Sequence, residues 1–480
     1  MNKYVSLAKR CIRLGQYETA LKAISTQAYL LYMRNQKYSD MELEELLWQI
    51  SSEVIDVDKS YVPNDNTVLF YDAFANDIRV WGISYLKAIA HEGFHLIYVT
   101  MDKAIGKNPH VLAELSGYDV DIVYLSPNGS YLKWAKDLND AFERYKPRKA
   151  FFYSTPWDVS GICVFNRYTG IITRFLIDLT NHAFWLGLNT SDYFIESRHM
   201  GASIAVYERG ISAEKVIRLD CAPYINPDKP SDPFPFDIYN KRYVFSGGNL
   251  YKTLGDGELN YYKMVKHILK ADSDIYFLYA GGGDGKELIK LSEEYPGRVF
   301  WISERPDFFE IMKNSVFFLN TYPMFGGLMM RYSALAGKVP VTLRHEDDGS
   351  GILINQAELG IEFDTLEEVC DEIDHLLDDD EYRMAKEKRL KDVVIDEETF
   401  AKNVSEIINN DRSFFSFESI VPEDTSKFRE EYLKRWGPEI ESRILNYREN
   451  RRLVFFFPIS FIRGIPKILK DKRKRRFQGK

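Results

Sequence analysis

The sequence predicts an α/β protein with two doubly wound domains that face a cleft. Its 480 residues, of which 45% are hydrophobic, are enough for two to four domains with separate cores. Strand and helix patterns alternate over residues 61–235 and start again after a segment that holds five prolines, residues 223–240. Alternation of this kind is typical of parallel sheets with crossover helices. We expect ligands at the carboxyl ends of the strands.

Composition excludes several classes of protein. The charged fraction of 28% and the modest glycine and proline content exclude a disordered or collagen-like chain. The four cysteines lie far apart, without a CxxC pair, which argues against a disulfide framework or a cysteine zinc site and favours a reducing, cytoplasmic compartment. The net charge of −8 argues against nucleic acid as the main partner.

Residues 1–60 are predicted to form a helical arm. The stretch AKRCIRLGQYETALKAISTQAYLLY has helical apolar spacing, with a turn at Gly15. It looks like one tetratricopeptide-type hairpin, but no second copy follows, so a solenoid is excluded. We interpret the arm as a cap or an interaction element.

The first domain, residues 61–235, begins with TVLFYD, a helix and HLIYVT, which together predict a parallel βαβ unit. Further strands are predicted at 121–125, 149–155, 183–187, 192–197 and 215–220, with helices around 131–145 and 168–179. The second domain, residues 236–415, repeats the pattern from RYVFSGG to VPVTL and ends in helices.

Residues 416–480 are predicted to form a helix, at 425–448, followed by a basic amphipathic segment, residues 451–480. This basic segment holds eleven Lys or Arg residues and one acidic residue, and eleven apolar residues stand between Leu453 and Leu469. Pro458 and Pro466 exclude one continuous helix. The pattern fits a segment at an anionic membrane surface, which predicts a peripheral position at the inner face of the cell membrane. The alternative is an apolar strip packed on the protein with a solvated basic end.

One βα turn has the features of a phosphate site. A buried strand ends at Asn320, and a loop with Gly326 and Gly327 leads into a helix. Glycines at a helix N-terminus let amide groups approach a ligand, and the helix dipole favours an anion there. A diphosphate fits this site. A plain turn that needs glycine for steric reasons is the alternative.

This stretch resembles the nucleotide-sugar motif of GT-B glycosyltransferases, above all the O-GlcNAc-transferase-like group and bacterial polysaccharide and adhesin glycosyltransferases. The residues that carry the resemblance are Asn320, Thr321, Pro323, Gly326, Gly327, Ala334, Leu335, Gly337, Pro340, Val341 and Thr342. The resemblance implies two Rossmann-like domains and a donor diphosphate bound by Pro323, Gly326, Gly327 and the backbone of Leu328. Two features depart from the family: Asn320 and Ser333 stand where it often has acids, and Leu328-Met329 replace its hydroxyl pair.

A second stretch, FSGGNLYK, resembles the family's donor loop after the first strand of this domain. The resemblance implies that Gly248 and Asn249 shape the loop and that Lys252 reaches the diphosphate. Independently, an ammonium group would neutralise charge on a departing nucleoside diphosphate. A solvated surface lysine is the alternative. His345, after VPVTL, is predicted to contact the donor, although an acidic surface loop explains its setting equally well.

The catalytic candidates lie in the first domain. The segment NHAFWLGLNTSDYFIESRHMGA resembles the family's W-L-G segment, and places His182 before a predicted strand, where an imidazole could orient a hydroxyl or take its proton. A strand-capping histidine is the alternative. Asp72 and Asp77 follow the first strand, where GT-B enzymes meet their acceptor. Either could serve as a base, and Asp72 fits a helix N-cap equally well.

The resemblance implies a glycosyltransferase that moves a sugar from a nucleotide diphosphate donor to an acceptor, with inversion and without a metal or other cofactor. The basic segment favours a lipid-linked glycan acceptor, as in capsule or exopolysaccharide synthesis. Three alternatives stay open: a transferase that modifies a protein such as an adhesin, an inactive GT-B partner or chaperone of an active transferase, and a nucleotide-sugar epimerase.

Overall fold

A computed structural model describes residues 3–74, 80–101, 109–127, 129–225, 234, 236–237, 240–344, 351–436, 462 and 465–466. The chain divides into two compact units. The first comprises Met1–Leu219 and Ala401–Lys480, and the second comprises Asp220–Phe400. The predicted boundaries, after residues 60, 235 and 415, differ from this division. Asp77, His345 and nearly all of the basic segment lie outside the described residues.

The first unit contains a seven-stranded parallel sheet in the order β3-β2-β1-β4-β5-β6-β7. Its strands are β1 (Asn64–Asp72), β2 (His95–Met101), β3 (Val120–Leu125), β4 (Pro147–Tyr153), β5 (Thr173–Ile177), β6 (Tyr193–Glu196) and β7 (Val216–Arg218). Successive residues of β1 are buried on both faces, as expected for a central parallel strand.

The helices of the first unit include those of the predicted arm. They are α1 (Lys3–Arg13), α2 (Tyr17–Arg34), α3 (Met41–Val54), α4 (Val80–His91), α5 (Pro109–Glu114), α6 (Tyr131–Tyr145), α7 (Val159–Arg167) and α8 (His199–Ser203), followed by a π-helix at Ile204–Glu208. Leu21, Ile24 and Leu47 of the arm belong to the same buried cluster as Leu69 and Tyr71 of β1. The arm therefore shares its core with the sheet.

Two predicted elements of the first unit are wrong. Residues 168–179, predicted as a helix, contain β5, because Gly170 adopts a positive φ of 73° and three β-branched residues follow it. In the sequence, the charged Arg174 suggested the solvent-exposed side of an amphipathic helix. In the structure, its side chain is buried against Asp192. Residues 183–187, predicted as a strand, form a loop whose backbone is held by side chains of the arm.

The second unit contains a six-stranded parallel sheet in the order β10-β9-β8-β11-β12-β13. Its strands are β8 (Tyr243–Gly247), β9 (Tyr276–Ala280), β10 (Val299–Ile302), β11 (Phe318–Leu319), β12 (Pro340–Leu343) and β13 (Glu362–Phe363). Its helices are α9 (Asn260–Ala271), α10 (Lys286–Glu294), α11 (Phe308–Lys313), α12 (Gly327–Leu335), α13 (Leu366–Asp378) and α14 (Asp380–Arg389). Val244 and Phe245 lie in different buried clusters, so both faces of this sheet are covered.

After the second unit the chain returns to the first through α15 (Glu397–Asn410) and α16 (Ser426–Trp436). The Lys149 ammonium at the start of β4 contacts Asp411 Oδ1 at 2.5 Å. Phe428 and Tyr432 of α16 pack in a buried cluster with Tyr38 of the arm and Met200 of α8. Among the described residues, none of the helices combines the length and the apolar character that a membrane crossing requires.

We predict that Asp192→Ala lowers the free energy of unfolding of the first unit by about 3 kcal/mol, because it leaves the buried Arg174 guanidinium without its anion. Two nitrogens of Arg174 contact the two Asp192 oxygens at 3.0 and 2.7 Å. Thermal unfolding of Asp65→Ala provides the control, since Asp65 pairs with Arg148 on the surface. Equal melting temperatures for the two variants would contradict the prediction.

Candidate functional site

The second sheet has its topological switch point between β8 and β11. The chain runs from β8 to β9 and β10 on one side, and then crosses to β11 on the other side. The carboxyl ends of β8 and β11 are therefore neighbours, at Gly247 and Leu319. In open α/β sheets, ligands bind outside the strands at this position.

Asn320 organises the loop that follows β11. Its side chain is 1% exposed, and its amide oxygen accepts hydrogen bonds from Thr321 N and Gly326 N, both at 2.9 Å. Its amide nitrogen donates to Thr342 Oγ1 at 3.2 Å. Thr321 Oγ1 donates to the Met324 carbonyl at 2.6 Å. The Asn320 side chain therefore ties the start of the loop to its end.

The loop leads into α12, with Gly326 at its N-cap position. The first amide groups of a helix have no partner within the helix and carry its positive dipole end. A Cβ on Gly326 would lie 3.2 Å from Asn320 Oδ1, so close packing favours glycine here. A Cβ on Gly327 would instead lie 3.1 Å from side-chain carbons of Phe325 and Ile352. Bulk at Gly327 would therefore disturb the loop itself.

The loop after β8 contacts the loop after β11. Gly248 has a φ of 132°, and the Asn249 side chain caps a short 3-10 helix, Leu250–Thr253. The half-buried Lys252 donates from Nζ to the Phe325 carbonyl at 3.4 Å, and its own carbonyl accepts from Met324 N at 3.1 Å. The structure thus brings one ammonium group to the loop that begins α12.

Seven of the predicted donor residues lie in these two loops and the first turn of α12: Gly248, Asn249, Lys252, Pro323, Gly326, Gly327 and Leu328. Their arrangement combines backbone amides, a helix N-terminus and a cation. This combination suits a bound anion such as a diphosphate. Leu328 and Met329 pack against an apolar cluster that includes Tyr243 and Phe318.

Asp72 lies at the end of β1, at the switch point of the first sheet. It is 5% exposed, accepts from Phe74 N at 2.9 Å and from the Tyr98 hydroxyl at 3.0 Å. Helix α4 begins at Val80, so Asp72 is not its N-cap. Both hydrogen bonds hold the carboxylate at the carboxyl edge of the sheet.

His182 lies in the loop after β5, and no strand follows it directly. Its ring packs edge-on against Phe428, 6.0 Å between centroids, and 6.3 Å from Tyr432. Burial, and then the charges of Arg198 and Arg209, lower the pKa of His182 to about 3. Its imidazole is therefore neutral at physiological pH and a weaker proton acceptor than an ordinary histidine.

The sequence analysis missed a buried charged cluster at the ends of β5 and β6, formed by Asp178, Glu196 and Arg209. All three are less than 5% exposed, and Arg209 Nη1 lies 3.6 Å from Asp178 Oδ2. Burial raises the pKa of both carboxyl groups, and the charge of Asp178 raises the pKa of Glu196 further. The signal was an acid at the carboxyl end of each of these buried strands, and the wrongly predicted helix at 168–179 hid it.

Asp178 also lines a pocket at the carboxyl ends of β4 and β5. Hydroxyl side chains of Ser154, Thr155 and Thr180 share that pocket, together with Trp185. The Trp185 indole donates to Asp178 Oδ2 at 2.9 Å. The pocket is small, with a volume of about 10 Å³, and Asp178 shares its lining with these three hydroxyl-bearing residues. Among the described residues, no group of three or more His, Cys, Asp or Glu could hold a metal ion.

Solved structures of two kinds of protein resemble this chain. A protein from Listeria monocytogenes described as a UDP-N-acetylglucosamine 2-epimerase has a TM-score of 0.54 and 12% identity, over 73% of this chain and 99% of that chain. A glycosyltransferase from Rickettsia africae has a TM-score of 0.53 and 12% identity, over 72% and 99%. No protein-family model matches this chain, and no curated protein sequence matches it.

The structural likeness, together with the two parallel sheets, defines the class of fold. The chain has the GT-B fold, with two Rossmann-like units whose strand orders follow the same pattern around β1 and β8. This confirms the fold class and the GT-B resemblance that the sequence predicted. At 12% identity the likeness establishes the fold alone.

We predict that His182 makes the protein sensitive to mild acid. Its folded-state pKa of about 3 lies below its ordinary value, so its contribution to stability is complete above about pH 6.5 and is lost as the pH falls toward 3. Between these limits, the free energy of unfolding should fall less steeply with decreasing pH in His182→Gln than in the wild type. The two slopes should differ by up to about 1.4 kcal/mol per pH unit. Thermal unfolding from pH 7 to pH 4 measures both slopes. Parallel slopes would show that the folded protein accepts the proton freely.

Proposed function

We propose that this protein is a glycosyltransferase that moves a sugar from a nucleotide diphosphate sugar to a hydroxyl acceptor. The observation that carries the proposal is the meeting of two loops at the switch point of the second sheet. There the Lys252 ammonium lies 3.4 Å from the Phe325 carbonyl, next to the start of α12. Loop amides, a helix N-terminus and one cation match the charge of a diphosphate.

In the proposed reaction, the acceptor oxygen forms a bond to the anomeric carbon while the bond from that carbon to the diphosphate oxygen breaks. The electron pair of the broken bond leaves with the nucleoside diphosphate. Lys252 and the first amides of α12 stabilise this charge, so the reaction as proposed needs no metal or other cofactor. A single displacement of this kind inverts the anomeric centre.

The proton of the acceptor hydroxyl passes to a carboxylate of the first unit. Asp72 and Asp178 both lie at the carboxyl edge of that sheet, and Asp178 lines a pocket with three hydroxyl side chains. Asp77 stays a candidate from the sequence. The low pKa of His182 favours a role in orienting the hydroxyl over a role as the base.

We further propose a lipid-linked glycan acceptor, as in capsule or exopolysaccharide synthesis, at the inner face of the cell membrane. The support is the composition of the basic segment, where eleven Lys or Arg residues stand among twelve apolar ones. A transferase that modifies a protein acceptor would not need the basic segment to bind a membrane. A catalytically inactive sugar-binding partner is the second candidate, favoured by the apolar Leu328-Met329 pair at the start of α12.

The test is incubation of the full chain with UDP, GDP and TDP sugars, with and without a lipid-linked acceptor, followed by detection of released nucleoside diphosphate and glycosylated lipid. Release that depends on acceptor supports the transferase. Conversion of the donor sugar without acceptor would instead identify an epimerase. Binding of a nucleotide sugar without turnover would identify the inactive partner.

We predict that Lys252→Ala lowers kcat/KM by about 100-fold, because one cation that faces the leaving group contributes about 2–4 kcal/mol in the transition state. The backbone hydrogen bond between Met324 and residue 252 is kept in this variant. Lys286→Ala is the matched control, since Lys286 is a surface lysine of the same unit. Steady-state kinetics on both variants would contradict the assignment if the two rates were equal.

We predict that Asn320→Ala weakens nucleotide binding by at least tenfold, whereas Asn320→Asp keeps it within about threefold. Alanine leaves the amides of Thr321 and Gly326 without their acceptor, at a cost of about 1–3 kcal/mol each. Aspartate keeps an oxygen for both amides. Calorimetric titration with the nucleoside diphosphate measures both constants. Equal affinities in the two variants would show that the hydrogen bonds accepted by Asn320 do not contribute to nucleotide binding.

We predict that deletion of residues 451–480 abolishes binding to vesicles that contain phosphatidylglycerol and leaves nucleotide binding unchanged. Each basic residue near an anionic surface contributes about 1 kcal/mol. Sedimentation with anionic vesicles and with neutral phosphatidylcholine vesicles measures the difference. Undiminished binding of the truncated chain to anionic vesicles would place the membrane contact elsewhere.

A further inference from the structure

The loop between β5 and β6 is held by side chains of the helical arm. The Asn35 amide nitrogen donates to the His182 carbonyl at 2.9 Å, and its amide oxygen accepts from Phe184 N at 3.1 Å. Glu44 Oε1 accepts from Gly187 N at 2.8 Å and from Leu188 N at 3.3 Å. Four hydrogen bonds from two arm residues thus fix the loop backbone over seven residues.

Both arm residues are buried, and their placement follows from the arm itself. Asn35 ends α2 with a left-handed φ of 46°, a conformation that asparagine tolerates better than most residues. Glu44 lies in the first turn of α3 and is 1% exposed. Burial raises the pKa of Glu44 to about 7. Its second oxygen, Oε2, has no hydrogen-bond partner among the described residues.

A buried carboxylate that uses one oxygen and leaves the other without a donor is costly for stability alone. An apolar residue at position 44 would pack in the same core without that cost. We therefore attribute the presence of a glutamate at position 44 to its hydrogen bonds with the backbone amides of Gly187 and Leu188.

The same loop forms one wall of the pocket at the ends of β4 and β5. Trp185 and Leu186 line that pocket, and the Trp185 indole donates to Asp178. Arg209 stacks on the Trp185 ring, 4.4 Å from its centroid, and donates to the Ala183 carbonyl at 2.8 Å. The position of the loop therefore sets the position of the Asp178 carboxylate.

We propose that Asn35 and Glu44 are positioning residues for acceptor use, and that the helical arm is a working part of the acceptor half of the enzyme. They act through the loop at residues 182–188, which orients Trp185 and Asp178 in the pocket. This inference rests on the proposed glycosyltransferase function. The arm would then position residues of the acceptor pocket, a role that differs from the cap or interaction element expected from the sequence.

The test compares Glu44→Ala and Asn35→Gly with two reference variants. Glycine at position 35 removes the side chain without straining the left-handed backbone. Glu44→Gln keeps an oxygen for the amides of Gly187 and Leu188. Glu42→Ala removes a partly exposed acid of the same helix, which pairs with Lys9.

Glu44→Ala and Asn35→Gly are expected to lower kcat/KM for the acceptor at least tenfold, while the affinity for the nucleoside diphosphate stays unchanged. Glu44→Gln is expected to restore most of the activity, and Glu42→Ala to match the wild type. Wild-type acceptor kinetics in both Glu44→Ala and Asn35→Gly would overturn the proposal. Acceptor and donor losses of equal size would also overturn it, because they would indicate a general loss of folded protein.

Hydrogen exchange gives a readout that does not depend on activity. The amides of Phe184, Gly187 and Leu188 are expected to exchange faster in the variant that lacks their own acceptor, at a temperature well below the melting temperature of either protein. Unchanged exchange would overturn the proposal even if no acceptor were known. If the wild type transfers no sugar but exchange accelerates as expected, the proposed function fails while the positioning contact stands.

Discussion

The loops at the carboxyl edge of a parallel sheet have no neighbouring strand to satisfy their backbone groups, and they must still be held rigidly enough to bind a ligand. In this protein, buried amide and carboxyl side chains supply the missing partners. Asn320 does so in the second unit, and Asn35 and Glu44 do so in the first. The positions of Lys252, of the start of α12 and of Trp185 all depend on these few hydrogen bonds.

The two units arrange charge differently. At the switch point of the second unit, the cation Lys252 stands beside a helix N-terminus, so the site is positive and suits an anion. At the end of β5 in the first unit, two buried carboxyl groups with raised pKa lie close to one guanidinium. The first arrangement fits a leaving diphosphate, and the second fits a neutral hydroxyl that must lose a proton.

The sequence predicted the strands and loops of the second unit well, because its information there is local. The strand that ends at Asn320, the glycines and the following helix lie within one short segment, and Lys252 follows another buried strand. It predicted the first unit less well. The charged Arg174 made the pattern of β5 look like that of an amphipathic helix. The ion pair between Arg174 and Asp192 is apparent only from the structure. The aromatic run at 183–187 has the composition of a strand, but the hydrogen bonds that make it a loop come from residues about 150 positions earlier.

The central claim is that the loops after β8 and β11 bind a nucleoside diphosphate. Hydrogen exchange of the full chain, with and without UDP, GDP and TDP in turn, tests it directly because it reports both binding and place. We expect one of the three nucleotides to slow exchange in two segments of the second unit, residues 248–254 and 321–330. Protection confined to other segments, or no protection with any of the three at millimolar concentration, would contradict the account.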